Sequence, residues 1–327
     1  MNNSIKAAIF ILTQNTVERK VYLKTTLYFL FRHFNKTYDY PVIILHQGDY
    51  DAISQEEIIQ SIRKSHRHLI IFKEIDKSDW EVPAHIDIEK VKKIIDISPL
   101  PYWRNLNYRL MCNFWMKHFH KYTNGYEYVM RMDDDSIIEE PINYDLFEMM
   151  KSKHLVYMSN IVHIDCGICN YKMKEMFEEI LPTYMDSING GLFVNAELKP
   201  DMQPVYDKFK ETLAILEKPH EGDGNIQLAM PVMYYNNFFV TSTEFWKRKD
   251  VCDIIEKIDK NGGIFYYRYG DAPLQTIIVT LLEPTKISRA VFKYSKRLQR
   301  EVFISSNGEF RSYMPTSYDE SSCIVKK

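Results

Sequence analysis

A short apolar segment that runs directly into three consecutive aspartates constrains this chain more than any other feature. Residues 126–132 (YEYVMRM) predict a buried β-strand, and Asp133, Asp134 and Asp135 follow it without a break. Adjacent carboxylates at the end of a buried strand repel one another and resist desolvation, so such a cluster usually persists because a cation neutralises it. A solvated turn rich in aspartate is the alternative interpretation, since aspartate favours turns and helix N-termini.

The Asp-x-Asp spacing indicates a divalent metal. Mg²⁺ and Mn²⁺ prefer carboxylate oxygen, and Mg²⁺ typically binds through one or two carboxylates plus the phosphates of a substrate. We therefore predict that Asp133 and Asp135 hold Mn²⁺ or Mg²⁺ and that Asp133 also faces a nucleoside diphosphate. In sugar-nucleotide transferases, a metal at such a site stabilises the departing diphosphate.

Strands and helices alternate through the first half of the chain. Residues 7–12, 41–46 and 68–72 predict three buried strands, with helical segments between them. This alternation is typical of an α/β fold with a mostly parallel central sheet and helices on both faces. Ligands of such sheets bind at the carboxyl ends of the strands. The loop residues expected there beside the Asp triplet are Thr13, Gln14 and Asn15.

Length and charge limit the class of protein. The 327 residues suffice for one large domain over residues 1–304, with a nucleotide-binding half at about 1–140 and an acceptor half at about 141–304. Residues 305–327 predict a polar C-terminal tail. A formal net charge of −2 gives no bulk attraction to nucleic acid, so we expect no nucleic-acid partner.

The cysteines and the hydropathy pattern indicate a compartment for the protein. The five cysteines are scattered and odd in number, which is typical of free thiols in a reducing compartment. No apolar run approaches the ~20 residues of a membrane-spanning helix. The N-terminus also lacks a charged and then apolar leader. We therefore expect no transmembrane segment and a cytoplasmic location, in a host cytoplasm if the protein is viral or parasitic.

The second half offers further candidate residues. Residues 264–273 (IFYYRYGDAP) predict an aromatic strand, a tight turn and the start of an apolar helix, where Asp271 either caps the helix or acts in catalysis. Residues 220–225 (HEGDGN) predict a polar loop carrying Asp223 on the acceptor side. A late basic run is interpreted as a solvated helix face, with contact to a diphosphate or an anionic surface as the alternative. Its members are Lys286, Arg289, Lys293, Lys296, Arg297 and Arg300.

Three separated phrases resemble the fungal α-1,2-mannosyltransferase family that extends yeast mannans. They are residues 262–273 (GGIFYYRYGDAP), 108–112 (YRLMC) and 34–41 (FNKTYDYP), and family members carry closely similar phrases in the same order. The resemblance covers most of residues 7–282. It implies a GT-A fold, GDP-mannose as donor, Mn²⁺ as cofactor and transfer to a mannosyl acceptor with retention of anomeric configuration.

The resemblance also implies roles for individual residues. Thr13, Gln14 and Asn15 match the family's nucleotide-contacting loop. Tyr108 and Arg109 match a helix start that faces the donor, which places Tyr108 near the sugar and favours a diphosphate contact for Arg109 over an exposed helix cation.

The chain departs from the family at three points. The Asp triplet stands where the family has a Glu-Pro pair, and the family's metal-binding His falls at or near Ser295, so we expect the metal to be held by the triplet. Phe239 replaces the Glu proposed as nucleophile or as ion-pair partner of the sugar cation, an oxocarbenium-like state that a carboxylate stabilises. The fungal enzymes use a membrane anchor to sit in the Golgi lumen, and none is evident here. The carboxylates available in place of the missing Glu are Glu221, Asp223, Glu244 and Asp271.

Together these features predict a metal-dependent glycosyltransferase that moves a sugar, foremost mannose from GDP-mannose, to a glycan or glycoconjugate acceptor. Two alternatives stay open. One is a catalytically weakened protein that binds the nucleotide or the sugar. The other is a metal-dependent phosphohydrolase that uses the same aspartates and releases phosphate.

Overall fold

The computed structural model describes residues 5–97, 104–196, 203–216, 228–296, 302–304 and 310–312. The strands are β1 (Ala7–Leu12), β2 (Val42–His46), β3 (Ile70–Glu74), β4 (Tyr128–Met132), β5 (Ile137–Ile138), β6 (Tyr157–Ser159), β7 (Val162–Ile164), β8 (Phe193–Ala196), β9 (Leu228–Tyr234), β10 (Phe238–Ser242), β11 (Ile287–Arg289), β12 (Tyr294–Ser295), β13 (Val302–Ile304) and β14 (Phe310–Ser312). The helices are α1 (Val17–Leu30), α2 (Lys36–Tyr38), α3 (Ala52–Gln60), α4 (Ile88–Ile97), α5 (Leu106–Asn113), α6 (Leu146–Ser152), α7 (Met173–Ile180), α8 (Met185–Ser187), α9 (Gln203–Leu216), α10 (Thr243–Lys247), α11 (Lys249–Asn261), α12 (Gly263–Tyr266) and α13 (Asp271–Leu282).

A seven-stranded sheet in the order β11-β6-β10-β4-β1-β2-β3 forms the centre of the structure. Strand β1 pairs in parallel with both β2 and β4, and β2 pairs in parallel with β3. Strand β10 runs antiparallel between β4 and β6. The predicted mostly parallel sheet is therefore confirmed, and the carboxyl ends of β1 and β4 lie side by side.

Both faces of this sheet are covered, as the continuous apolar sequence of β1 predicts. Ala8 and Phe10 belong to a core cluster that contains apolar residues of α5 and α13. Ile9 and Ile11 point to the opposite face, where they join the core cluster of α1. The period-two alternation of a strand thus divides one apolar segment between two cores.

A smaller antiparallel sheet, in the order β7-β9-β8, packs beside α13. The backbone N–H of Tyr234 in β9 donates to Oγ1 of Thr276 in α13, at 2.7 Å. Within the described part of the chain, no helix is both long enough and apolar enough to cross a bilayer.

Two predicted elements differ from the structure. The predicted aromatic strand after residue 263 is the short helix α12, because Gly262 takes a left-handed conformation (φ 73°) that ends α11 and lets a new helical turn begin. Ile264 and Phe265 of that turn are buried in the core. The basic run interpreted as a helix face instead passes through β11 and β12 over the described residues up to 296. The division of the chain into two halves and a tail stays a prediction.

Candidate active site

A cavity of about 650 Å³ opens at the carboxyl ends of β1 and β4. Residues that follow these two strands form one wall, and the N-terminal parts of α5 and α13 and the turn between β9 and β10 line much of the rest. All three aspartates of the triplet face this cavity. Thr13, Gln14, Tyr108 and Asp271, which were also predicted as site residues, face it as well.

Asp133 is held by two cations. Its Oδ1 accepts a hydrogen bond from Nε of Arg131 at 3.0 Å, and its Oδ2 accepts one from Nζ of Lys296 at 2.6 Å. Burial alone would raise the pKa of the Asp133 carboxyl, but Lys296 and Arg131 outweigh it and hold that pKa below its usual range. Asp133 is therefore ionised and fully paired.

Asp134 faces a hydroxyl group and a third cation. It accepts hydrogen bonds from Oγ1 of Thr13 at 2.7 Å and from Nη1 of Arg19 at 2.8 Å. Burial, helped by the neighbouring Asp135 carboxylate and opposed by Arg19, raises the pKa of Asp134 to about 7. The contact from Thr13 ties the loop after β1 to the loop after β4.

Asp135 is fully buried, and neither of its carboxylate oxygens has a hydrogen-bond partner among the described residues. The closest cationic nitrogens belong to Arg19, at 3.7 Å, and to Lys296, at 3.8 Å. Burial raises the pKa of the Asp135 carboxyl, and the attraction of Lys296 only partly opposes it. A buried carboxylate without hydrogen bonds is costly, so Asp135 is a position that a bound cation would stabilise.

The carboxylates present suit a metal that takes few ligands from the protein. Among the described residues, no group of three or more His, Cys, Asp or Glu side chains is arranged to hold a metal ion. Mg²⁺ and Mn²⁺ in nucleotide sites need only one or two carboxylates, since the substrate phosphates supply others. Asp135 fits this requirement, whereas Asp133 fits it only after losing the ammonium of Lys296. Their assignment as metal ligands stays a prediction.

Asp271 does not cap a helix as one interpretation proposed. It is the first residue of α13, and no side-chain cap closes that helix. Its Oδ2 instead accepts hydrogen bonds from Nη1 of Arg131 at 2.5 Å and from Nδ2 of Asn236 at 2.7 Å. The Arg131 guanidinium lies 4.3 Å from the ring centroid of Trp115, which covers it. Arg131 therefore links Asp271 directly to Asp133.

Two residues predicted to bind the donor have other partners. Asn15 turns toward the loop after β2, where its Nδ2 donates to the carbonyl of Asp49 at 2.7 Å and to Oγ of Ser54 at 3.0 Å. Arg109 is buried, and its Nη1 donates to the carbonyl of Phe265. Neither side chain lines the cavity, so their donor-binding roles rest on the resemblance alone.

The candidates for the missing family carboxylate differ in whether they face the active-site cavity. Phe239 lies in β10 and is fully buried, with its ring 5.3 Å from that of Tyr157. Glu244 lines a different surface cleft. Asp271 faces the active-site cavity, and so does Asp165, which was not among the carboxylates expected in place of the missing Glu. Asp223 and Glu221 lie outside the described residues.

Of the cations around the triplet, Arg131 and Arg19 were missed, and Lys296 was named only as a member of the late basic run. Arg131 is a charged residue inside an otherwise apolar strand, which by itself indicates a buried partner. Arg19 and Lys296 lie in polar stretches, so their local sequence does not indicate a buried partner. They contact the triplet only through the tertiary fold.

Comparison with solved structures confirms the GT-A fold. Core-mannan synthase A from Aspergillus fumigatus, in its Mn/GDP form, superposes with a TM-score of 0.71 at 19% identity, covering 90% of this chain and 75% of that one. The mannosyltransferase Ktr4p of Saccharomyces cerevisiae, in complex with GDP, superposes with a TM-score of 0.69 at 20% identity, covering 89% and 71%.

A relative by sequence is glycolipid 2-alpha-mannosyltransferase 1 of Candida albicans, which is 26% identical over 290 residues. The match covers 87% of this chain but only 60% of the relative's length. The predicted cytoplasmic location is wrong, because these relatives are fungal Golgi enzymes that face the lumen. The scattered cysteines and the N-terminal segment therefore did not predict the compartment correctly.

The similarity to these relatives extends to a family model that covers most of the chain. The family model described as glycolipid 2-alpha-mannosyltransferase matches residues 1–294, which includes both strands that carry the cavity and the segment before α13. The chain therefore belongs to the glycolipid 2-alpha-mannosyltransferase family.

Proposed function

We propose that this chain transfers a mannosyl group from GDP-mannose to a glycan acceptor and uses a divalent cation bound at the Asp triplet. The observation that carries the proposal is the buried carboxylate of Asp135, which lacks hydrogen bonds in a cavity at the strand ends. The names of the relatives support mannose transfer, and the solved relatives support GDP and Mn²⁺ as ligands.

The triplet and the residues around it would hold the donor through different contacts. A divalent cation at Asp135 would supply Lewis-acid stabilisation of the departing diphosphate. Arg19 and Lys296 lie within 4 Å of Asp135, so both cations are close enough to neutralise the phosphate oxygens that join the site. The Thr13 hydroxyl orients Asp134 and keeps the two strand-end loops together.

Asp271 is the first candidate for the carboxylate that stabilises the sugar cation. Arg131 and Asn236 both donate to its Oδ2, and the buried Cys112 thiol lies against the same carboxylate, so Asp271 is held firmly at the cavity wall. An ionised carboxylate at this position would stabilise positive charge that develops on the anomeric carbon during retaining transfer. Asp165 lines the same cavity and accepts a hydrogen bond from Asn170 at 2.9 Å, so it is the second candidate for this role.

The test is transfer from GDP-mannose to α-methyl mannoside, followed by mass spectrometry of the product and by measurement of released GDP. We expect Mn²⁺-dependent transfer, and we expect Asp135→Asn to lower its rate by about 100-fold or more, since loss of a catalytic metal removes several kcal/mol of transition-state stabilisation. Asp253→Asn is the matched control, because Asp253 is an exposed residue of α11 that pairs with Lys249. Transfer that needs no metal, or that survives in the Asp135→Asn protein, would contradict the proposal.

A weakened binding protein is the second candidate, and the buried Phe239 favours it because the family's Glu is missing there. This candidate predicts tight binding of GDP without any mannosylated product. Calorimetry with GDP, run beside the transfer assay on the same sample, separates the two functions.

A further inference from the structure

An ammonium group already lies at the place where a metal would bind. Nζ of Lys296 is 2.6 Å from Oδ2 of Asp133 and 3.8 Å from Oδ1 of Asp135. These are the two carboxylates predicted to hold the divalent ion. Oδ1 of Asp133 already accepts a hydrogen bond from Arg131, so a divalent ion held by Asp133 and Asp135 would compete with the ammonium for Oδ2 of Asp133.

The local charges nearly balance without any metal. The three carboxylates of the triplet and Asp271 face three cations, of which Arg131 pairs with Asp133 and Asp271, Arg19 with Asp134, and Lys296 with Asp133 and Asp135. A divalent ion added alone would leave this cluster with an excess of positive charge. A divalent ion added together with a diphosphate would not, because the phosphates bring negative charge of their own.

Lys296 differs from the two arginines in its freedom to move. Arg131 is fully buried and is also bonded to Asp271, and Arg19 is anchored on α1. The Lys296 side chain is 29% exposed, close to the 32% of Arg19, but it follows the two-residue strand β12, which pairs with β5 just beyond the triplet, and does not lie on a long helix. A lysine ammonium is a compact charge on a flexible stem, so it can change partners without any backbone movement.

We propose that Lys296 is an internal cation that fills the metal position in the free protein and moves to the donor diphosphate when metal and nucleotide bind together. This inference rests on the proposed function. Its consequence is positive coupling between the two ligands. The metal alone must expel the ammonium from its carboxylates, whereas the nucleotide offers that ammonium a new anionic partner.

Calorimetric titration of the full chain with Mn²⁺, with and without GDP, tests the exchange. Lys296→Met removes the charge and keeps most of the side-chain length. We expect it to bind Mn²⁺ about tenfold more tightly than the unmodified protein when no nucleotide is present, equivalent to about 1.4 kcal/mol. We also expect it to bind GDP about tenfold more weakly at saturating Mn²⁺. Lys296→Arg should keep most of the GDP affinity.

Lys293→Met is the matched control, because Lys293 lies three residues earlier, is 74% exposed and is 4.0 Å from Glu140. It should leave both affinities unchanged. Equal or weaker Mn²⁺ binding by the Lys296→Met protein would overturn the exchange, even if Mn²⁺-dependent transfer from GDP-mannose is observed. Tighter Mn²⁺ binding by that protein without any transfer by the unmodified protein would uphold the exchange and remove the proposed function instead.

Discussion

Three identical, consecutive residues have three different environments at the end of β4. Asp133 is paired with two cations, Asp134 with one cation and a hydroxyl group, and Asp135 with no hydrogen-bond donor. Their pKa values diverge accordingly, below the usual range for Asp133 and above it for Asp134 and Asp135. Burial is common to all three, so the number and distance of the surrounding cations make the difference.

Asp135→Asn should have opposite effects on stability and on metal binding. Removal of the buried charge relieves its desolvation cost, so we expect the free energy of unfolding without metal to rise by about 1 kcal/mol. The same variant should lose stabilisation by Mn²⁺. Urea unfolding with and without Mn²⁺ measures both effects, and Asp253→Asn should change neither. A less stable Asp135→Asn protein in the absence of metal would show that Asp135 is already well paired.

A buried histidine outside the active site should control part of the acid sensitivity. Nδ1 of His118 lies 3.1 Å from Oδ1 of Asp79. Burial lowers the pKa of His118 to about 4, with Asp79 opposing the shift and Lys121 adding to it. Because this pKa is depressed in the folded state, the unfolded chain takes up the proton first. The contribution of His118 is thus present above pH 6.5 and is lost as the pH falls to about 4.

His118→Gln should therefore reduce the fall in unfolding free energy between pH 6.5 and pH 4 by about 1 to 2 kcal/mol. Urea unfolding at several pH values across this interval measures the effect. His163→Gln, at an exposed residue of β7, is the matched control for the loss of an imidazole. An identical pH dependence in the His118→Gln protein would exclude His118 as a source of acid sensitivity.

The segment from α11 to α13 shows how two adjacent glycines serve different purposes. Gly262 ends α11 in a left-handed conformation. Gly263 begins α12 and lies directly under the ring of Tyr269, so that a Cβ atom there would be only 2.1 Å from the ring. The Tyr269 hydroxyl donates to the carbonyl of Tyr171 at 2.6 Å, which fixes the ring. This packing sets the position at which α13 begins, and with it the position of Asp271.

Gly263→Ala should destabilise the protein by about 1 to 3 kcal/mol, because the new methyl group must displace a buried aromatic ring. The matched control is Gly190→Ala, since a Cβ at Gly190 meets nothing within 4 Å. Its φ of −81° also accepts any residue. Chemical unfolding of both variants gives the comparison. Equal stabilities would mean that the Tyr269 ring can move aside at little cost.

At the scale of the whole molecule, the sheet order brings distant segments to one cavity. Strand β10 lies antiparallel beside β4, so the turn before β10 reaches the triplet, and the backbone N–H of Asp133 donates to the carbonyl of Asn237 at 3.0 Å. Thr13 comes from the first strand and Asp271 from the last long helix, yet both line the same space. A ligand in this cavity therefore contacts segments from both ends of the described chain.

Ligand binding should consequently stabilise the entire structure. A ligand at 100 times its dissociation constant adds about 2.7 kcal/mol to the free energy of unfolding. We expect GDP and Mn²⁺ together to raise the melting temperature by several degrees, and by more than the sum of their separate effects. Thermal unfolding measured with each ligand alone, with both and with EDTA tests this, and the Asp135→Asn protein should lose the Mn²⁺ contribution. Strictly additive shifts would argue against coupled binding.

The local pattern of the sequence was enough to predict the sheet, the Asp triplet at its carboxyl edge and the GT-A fold. Strand periodicity and the three short family phrases depend only on neighbouring residues. The partners of the site residues were not predictable in this way. Lys296 reaches Asp133 across 163 residues of sequence, Asp271 reaches Arg131 across 140, and Arg19 reaches Asp134 across 115.

The contrast between local pattern and tertiary contact also explains why some predicted residues face the cavity and others do not. Tyr108 and Arg109 are neighbours on α5, but helical geometry turns Tyr108 to the cavity and Arg109 to the carbonyl of Phe265. The sequence by itself determined strands β1 to β4, the acidic edge and the family, because these depend on the order of residues along the chain. Only the tertiary structure decided which cation meets which carboxylate, because those contacts depend on the order of strands in the sheet.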